Sequence, residues 1–434
     1  MAMIAEPGGP EAPGPAGFVR RTLPSLHSRN FRLFFVGQTI SNSGNWLTMV
    51  ALTLLVLHRT HSGTAVGLLS ACQFGPLLLL SAWAGVIVDR HDKRRLLVIT
   101  QSIEMAQSFA LAALAFMPHA PVGAFYGTAV LGGAALAFDN PVRRSFVNEM
   151  VPLADVPNAV TIYSAMVNIS RVVGPALAGV LIVTVGYGWC FTLDAVSYVS
   201  VLIALAMMRP EELRRVARTP RGRGQIRAGV RYIASVRELW VTFVMLLIVG
   251  MLGYNFNVVF PLLVEKGLGG SDGTFTLVYS AFSAGALIGA VIVARRTAIT
   301  VRTVALGAVW LGVSMLVLSA VPNIPIAVFV AAVTGGGSIA YMTASTALAQ
   351  IRTDQPMIGR VLAIQTVLLV GTTPIGGPIL GWLADVAGGR APVLIGGIST
   401  LVAAAFGLVA GRERRPSSRE DDEPGWAPVE EQAS

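Results

Sequence analysis

The sequence predicts an all-α, polytopic membrane protein with twelve transmembrane helices in two pseudo-symmetric six-helix bundles. Three observations carry that prediction. First, 54% of the 434 residues are hydrophobic and only 13% are charged, whereas soluble domains carry about 25% charged residues. Second, apolar stretches of about 20 residues recur along the whole chain, each long enough to cross about 30 Å of hydrocarbon. Third, the basic residues segregate. With twelve spans threaded back and forth, 28 of the 32 Lys and Arg fall on one side, Arg59, Lys266 and Arg390 on the other, and Arg171 inside a span.

The spans are expected at 33–57, 63–88, 96–117, 121–138, 158–183 and 187–208, then at 239–264, 274–294, 303–321, 324–347, 361–384 and 391–410. Short connections rich in Pro or Gly (MPHAPVG, VGYG, VPNIP, AGGR) separate most of them, as turn chemistry requires. One connection differs: 209–238 is long, strongly basic and central, so it divides the chain into a 33–208 bundle and a 239–410 bundle. The basic side is expected to be cytoplasmic, which places both termini in the cytoplasm of a cell holding this chain in its cytoplasmic membrane. The net charge of +9 then reports topology, and no nucleic-acid partner is expected, since that needs a basic face on a soluble fold.

Residues 1–32 lack the apolar core of a secretory signal and read as a disordered cytoplasmic tail. The acidic, Pro-bearing 411–434 segment reads the same way. Cys72 and Cys190 both sit in apolar runs and are expected to behave as small hydrophobes rather than as a disulfide. No spacing suggests a metal site or a cofactor, and the glycine-rich Thr334–Ser338 run lacks the lysine of a phosphate loop. Without a nucleotide-binding domain in the sequence, the energy source is expected to be an ion gradient, most simply protons. A membrane enzyme would want clustered acids or histidines near one face, but the five histidines are scattered over loops and span ends.

The two halves echo each other. SRVVGPALAGVLIVTVGYG at 170–188 parallels TPIGGPILGWLADVAGGR at 373–390, with Gly-Pro in mid-helix and a glycine turn at the end. Such duplication suits transporters, whose site lies where the repeats meet.

At the end of the second span stands AGVIVDRHDKRR, residues 84–95. Gly85, Asp89, Arg90, Lys93, Arg94 and Arg95 resemble the loop 2–3 signature of the major facilitator superfamily, with Asp92 where that signature usually has glycine. In the fifth span, Gly174, Pro175 and Gly179 resemble the Gly-Pro motif of the superfamily's drug–proton antiporters. NFRLFFVGQTISNSGNWL, FDNPVRRSFVNEMVP and IGRVLAIQ are similar to the branch holding enterobactin exporters and macrolide-efflux proteins, over about residues 30–410. The resemblance implies a secondary transporter working by alternating access. Asp89 and its arginines would hold the cytoplasmic side closed in one state. Proton-linked efflux of a drug, siderophore or lipid-like metabolite is the expected work. Facilitated transport or import without protons is the alternative, and a membrane sensor or scaffold a distant one. Small-molecule substrate and membrane lipids are the expected partners, and a monomer the expected state.

Charges inside the spans are functional candidates because burial in lipid is costly. The residues place Glu104, Asp194 and Arg171 there. Glu104, about nine residues into the third span, lies roughly 13 Å deep at 1.5 Å per residue. It is expected either to take up and release a proton, with Arg171 or water favouring its ionised form, or to be neutralised by Arg171 as a fixed pair. In this superfamily spans 1, 4, 7 and 10 line the central cavity. The resemblance therefore assigns the cavity Gln38, Asn42 and Asn45 from span 1, Tyr254 and Asn257 from span 7, and Tyr341 from span 10. Amides and aromatics with few charges would suit a bulky amphipathic ligand, neutral or weakly charged.

Overall fold

The computed structural model describes residues 23–214, 225–294 and 299–411. The expectations for the outer parts of both tails, the middle of the central loop and 295–298 lie outside the described residues, as does the side chain of Asp89. Among the described residues, twelve helices are long and apolar enough to cross a membrane and there is no strand. In chain order they are α1 (Arg29–Thr60), α2 (Gly63–Arg90), α3 (Lys93–Phe116), α4 (Val122–Val147), α5 (Val156–Thr184) and α6 (Tyr187–Met207). Then follow α7 (Arg237–Gly267), α8 (Asp272–Ala294), α9 (Val301–Ala320), α10 (Ile324–Ile351), α11 (Gln355–Ala387) and α12 (Ala391–Ala410).

The sequence explains the ends. Ser62 accepts from the Ala65 N–H at the start of α2, and Asn323 from Ile326 at the start of α10, each satisfying an orphan donor of a first turn. Asp92, which stands where the related signature has glycine, is the cap of α3: its Oδ1 accepts from the Arg95 N–H at 2.9 Å. The largest departure from expectation is α4, which runs nine residues beyond 138 and carries Pro141 in its interior. Proline is tolerated in membrane helices where neighbours re-satisfy the freed backbone group. α7 is interrupted by wide turns at Val249–Gly253, after which Asn255 Nδ2 donates to the Met251 carbonyl at 2.8 Å.

The first six helices meet the last six along two seams, α2 against α11 and α5 against α8. The α2–α11 seam is tight because both helices present glycine: a Cβ at Gly63 or Gly67 would lie 2.4 Å from the carbonyl oxygen of Gly381 or Gly377. There Asp385 of α11 accepts from the backbone N–H of Gly63 (2.6 Å) and Thr64 (2.8 Å) and from the hydroxyls of Ser62 (2.8 Å) and Thr64 (2.7 Å). A carboxylate at a helix N-terminus is favourably placed against the helix dipole. Lys266 of α7 adds an ion pair to the same carboxylate. The opposite, basic end shows no equivalent clasp among the described residues. Lys93 pairs with Glu149, and Arg94 Nε donates to the Leu205 carbonyl at 2.8 Å, both within the first half. Among the described residues, the polar clasp between the halves is thus confined to the Asp385 end.

Candidate functional site

Between the halves lies a cavity of about 2220 Å³. Its lining runs from Arg90, Arg144 and Arg360 at the basic end down to Leu52, Ala129 and Val258. Of the residues assigned to it by sequence, Asn42, Asn45, Tyr254 and Asn257 line it. Gln38 and Tyr341 do not. Tyr341 is fully buried, its backbone against Gly307 of α9. Gln38 is fully buried too, and its Oε1 accepts from Arg143 at 3.1 Å.

That arginine is the centre of a buried charge cluster beside the cavity. Asp139 and Arg143 are four residues apart on α4, so they share one helix face. Arg143 Nε donates to Asp139 Oδ2, while Arg143 Nη2 lies 3.5 Å from Glu104 Oε2 on α3. Gln101 bridges the two acids, its Nε2 donating to Asp139 Oδ1 at 2.9 Å and to Glu104 Oε2 at 3.0 Å. Thr100 completes Asp139 with a 2.8 Å hydrogen bond. Glu104 is 2% exposed, Asp139 0% and Arg143 4%. Two carboxylates thus share one guanidinium, leaving one negative charge in excess when both are ionised. One proton would neutralise the group. Glu104 Oε1 has no hydrogen-bond partner, and both Glu104 and Arg143 border the cavity.

Glu104 therefore pairs with Arg143 and not with Arg171, correcting the pairing that depth alone suggested. The reading of Glu104 and Asp194 as the acids well inside the spans is corrected as well, because Asp139 of α4 is fully buried too. Asp139 and Arg143 were hidden in FDNPVRR, where Pro141 marks a span end by the usual rules and Arg143 counts as a loop charge. The available signal was the D-x-x-x-R spacing, which puts acid and base on one face if the helix continues. Asp194 sits on α6, accepting from Ser108 Oγ at 2.7 Å, with its Oδ1 unpartnered. It packs against Gly44 of α1, where an added Cβ would lie 2.6 Å from Asp194 Oδ1. Next to it Asn45 Nδ2 donates to the buried Tyr198 hydroxyl at 3.2 Å.

The glycines of the α5 motif seat two neighbours. A Cβ at Gly174 would lie 2.4 Å from Trp46 Cβ, so its absence lets α1 press against α5 there; at Gly179 it would lie 2.1 Å from Thr276 Oγ1 of α8. Pro175 lies inside the unbroken helix. The close approach at Gly174 brings the Trp46 ring under Arg171, whose guanidinium carbon stands 4.9 Å from the ring centroid. Opposite, the second half offers aromatic rings: Phe256 and Phe282 with centroids 4.5 Å apart, Tyr254 5.1 Å from Phe256, and Tyr279, whose hydroxyl donates to Asn257 at 2.6 Å. In the 84–95 stretch, Gly85 lies within α2 and Arg90, at its last position, is exposed to the cavity mouth. Arg95 follows on the first turn of α3.

Known proteins share this architecture. A POT family transporter in complex with 5-aminolevulinic acid superposes with a TM-score of 0.72 at 13% identity, over 90% of this chain and 99% of that one. An inward-facing, occupied bacterial homologue of the lysosomal transporter Spinster does so at 0.69 and 15%, over 88% and 96%. In sequence, the chain is 26% identical to the multidrug efflux pump Tap of Mycobacterium tuberculosis over 403 residues, 90% of this chain and 94% of that protein. It is 23% identical to macrolide efflux protein A of Streptococcus pyogenes over 82% of this chain and 89% of that one. The staphyloferrin A transporter of Staphylococcus aureus matches at 26% over 61% of this chain and 66% of that protein. The family model described as "Transmembrane secretion effector" matches residues 21–428, and the chain belongs to that family of major facilitator superfamily transporters.

Proposed function

We propose that this multi-pass transporter exports a small amphipathic molecule across the cytoplasmic membrane in exchange for protons, with both termini in the cytoplasm. It works as a monomer, by rocking of α1–α6 against α7–α12. The cavity reaches the basic, cytoplasmic end, from which substrate would load. One observation carries the reading: a buried group of two carboxylates and one guanidinium borders the substrate cavity. Alternating access then needs only that proton and substrate favour different states of the same bundle. Relatives named for multidrug efflux and macrolide efflux support the direction; the staphyloferrin A transporter adds siderophore carriage as a related task. Asp385 clasps the outer end in this state. Asp89, Arg90, Arg94 and Arg95 are assigned the corresponding role at the inner end when it closes.

The test is a pH dye inside proteoliposomes challenged with macrolides, lipophilic cations and catecholate siderophores, comparing wild type with Glu104→Gln. A substrate-dependent pH change that disappears in Glu104→Gln, with downhill substrate movement retained, is expected. Substrate movement without any pH change in the wild type would replace antiport by uniport.

A further inference from the structure

The cavity carries more information about its ligand than size. Six of its lining residues are arginines (Arg90, Arg143, Arg144, Arg171, Arg227 and Arg360) against two acids, Glu104 and Asp194. Glu104 is engaged by Arg143 and Gln101, and Asp194 accepts from Ser108. The arginines at the mouth also follow from membrane topology, so they do not decide the question. Arg171 does. It lies 15 residues from the start of α5 at Val156, about 22 Å along the helix axis and therefore near mid-membrane. Among the described residues it makes no ion pair, and its Nε is buried without a hydrogen-bond partner. The face of Trp46 anchors it, a contact that holds the guanidinium plane and leaves its edge free. An arginine is always charged, and an unpaired one at this depth is expensive unless something completes it.

We propose that the transported molecule is an amphipathic anion, with a carboxylate or similar planar oxyanion seated on the edge of Arg171. Its apolar body would rest against the α7–α8 rings, Tyr254, Phe256, Tyr279 and Phe282. The guanidinium fork matches a carboxylate bidentately. The mouth arginines form a positive funnel that raises the local anion concentration. Of the neutral or weakly charged ligands expected from amides and aromatics, this selects a singly charged anion. This deepens the export reading and rests on it for the role of the cavity.

The test is equilibrium binding to the purified full-length protein in detergent, where no gradient acts. Three probes share one ring system: naphthaleneacetate, naphthaleneacetamide and naphthylmethylammonium. The carboxylate is expected to bind about tenfold or more tighter than the other two, the worth of a hydrogen bond to a charged group. In Arg171→Gln and Arg171→Met, either of which suffices, carboxylate affinity should fall to that of the amide while amide affinity stays unchanged. Equal binding of the three, preference for the ammonium, no carboxylate binding at millimolar concentration, or a preference that survives both substitutions would overturn the proposal. A protein that prefers the carboxylate but moves no protons fails the antiport reading alone. One that exchanges protons for a cation fails this proposal alone.

Discussion

The two halves share a fold and divide the chemistry. Among the described residues, all four fully buried charged side chains, Glu104, Asp139, Arg143 and Asp194, lie in α3, α4 and α6. The second half buries none, and faces the cavity with Tyr254, Phe256, Tyr279 and Phe282. A buried charge must be paired, so it demands fixed partners and exact distances. An aromatic wall is tolerant, because dispersion and area burial depend little on the ligand's functional groups. The difference teaches that one half fixes charge in defined places while the other offers the cavity an aromatic wall, a division that fits the proposed exchange of a proton for a molecule with an apolar body.

The largest expected effect breaks the first half. Arg143→Gln leaves two carboxylates in a buried site without their cation and should cost about 3–5 kcal/mol of stability. Asp139→Asn added to it should recover a large part, since the pair is coupled. Thermal melts of the single and double variants measure this; equal melting temperatures for the two would dissolve the cluster as a unit. A smaller effect probes the second half. Phe282→Ala should raise the KM for substrate by about three- to tenfold and leave the proton-to-substrate ratio untouched. A changed ratio would mean that the halves are not separate in function.

The smallest effect tests the joint between them. Asp385→Asn removes the charge that clasps α2 and should shift the resting population about fivefold towards the state opened at that end. Alkylation of Ser70→Cys, in a Cys72→Ala and Cys190→Ala background, by an impermeant maleimide reads that shift. Ser70 lies on the α2–α11 seam against Gly377. Unchanged labelling would move the lock elsewhere.

Much of this was legible in the sequence. Apolar length located all twelve spans, because hydrocarbon thickness leaves a helix little freedom. Gly174 with Pro175 pointed to a close approach inside α5, which Trp46 of α1 makes. Pairing was not legible. Glu104 and Arg143 are distant in sequence and meet only through the rotational setting of α3 on α4, which no single-chain pattern encodes. Pro141 concealed the continuation of α4, since the rule that proline ends a helix is a rule of water. Gln38 had the right period for a cavity stripe yet faces Arg143, because a helix in a bundle has several polar neighbours to choose from.

The proposed division of labour between Arg171 and the Glu104 cluster would have an electrical consequence. If one anion leaves on Arg171 for each proton that enters on the cluster, as proposed, each cycle would carry two elementary charges in the same direction across the membrane. The membrane voltage contributes about 2.3 kcal/mol per charge per 100 mV, so a cell at that potential would supply about 4.6 kcal/mol per cycle before any pH difference is counted. Such an exporter would remain powered in an alkaline medium, where the proton concentration gradient vanishes and an electroneutral exchanger stalls.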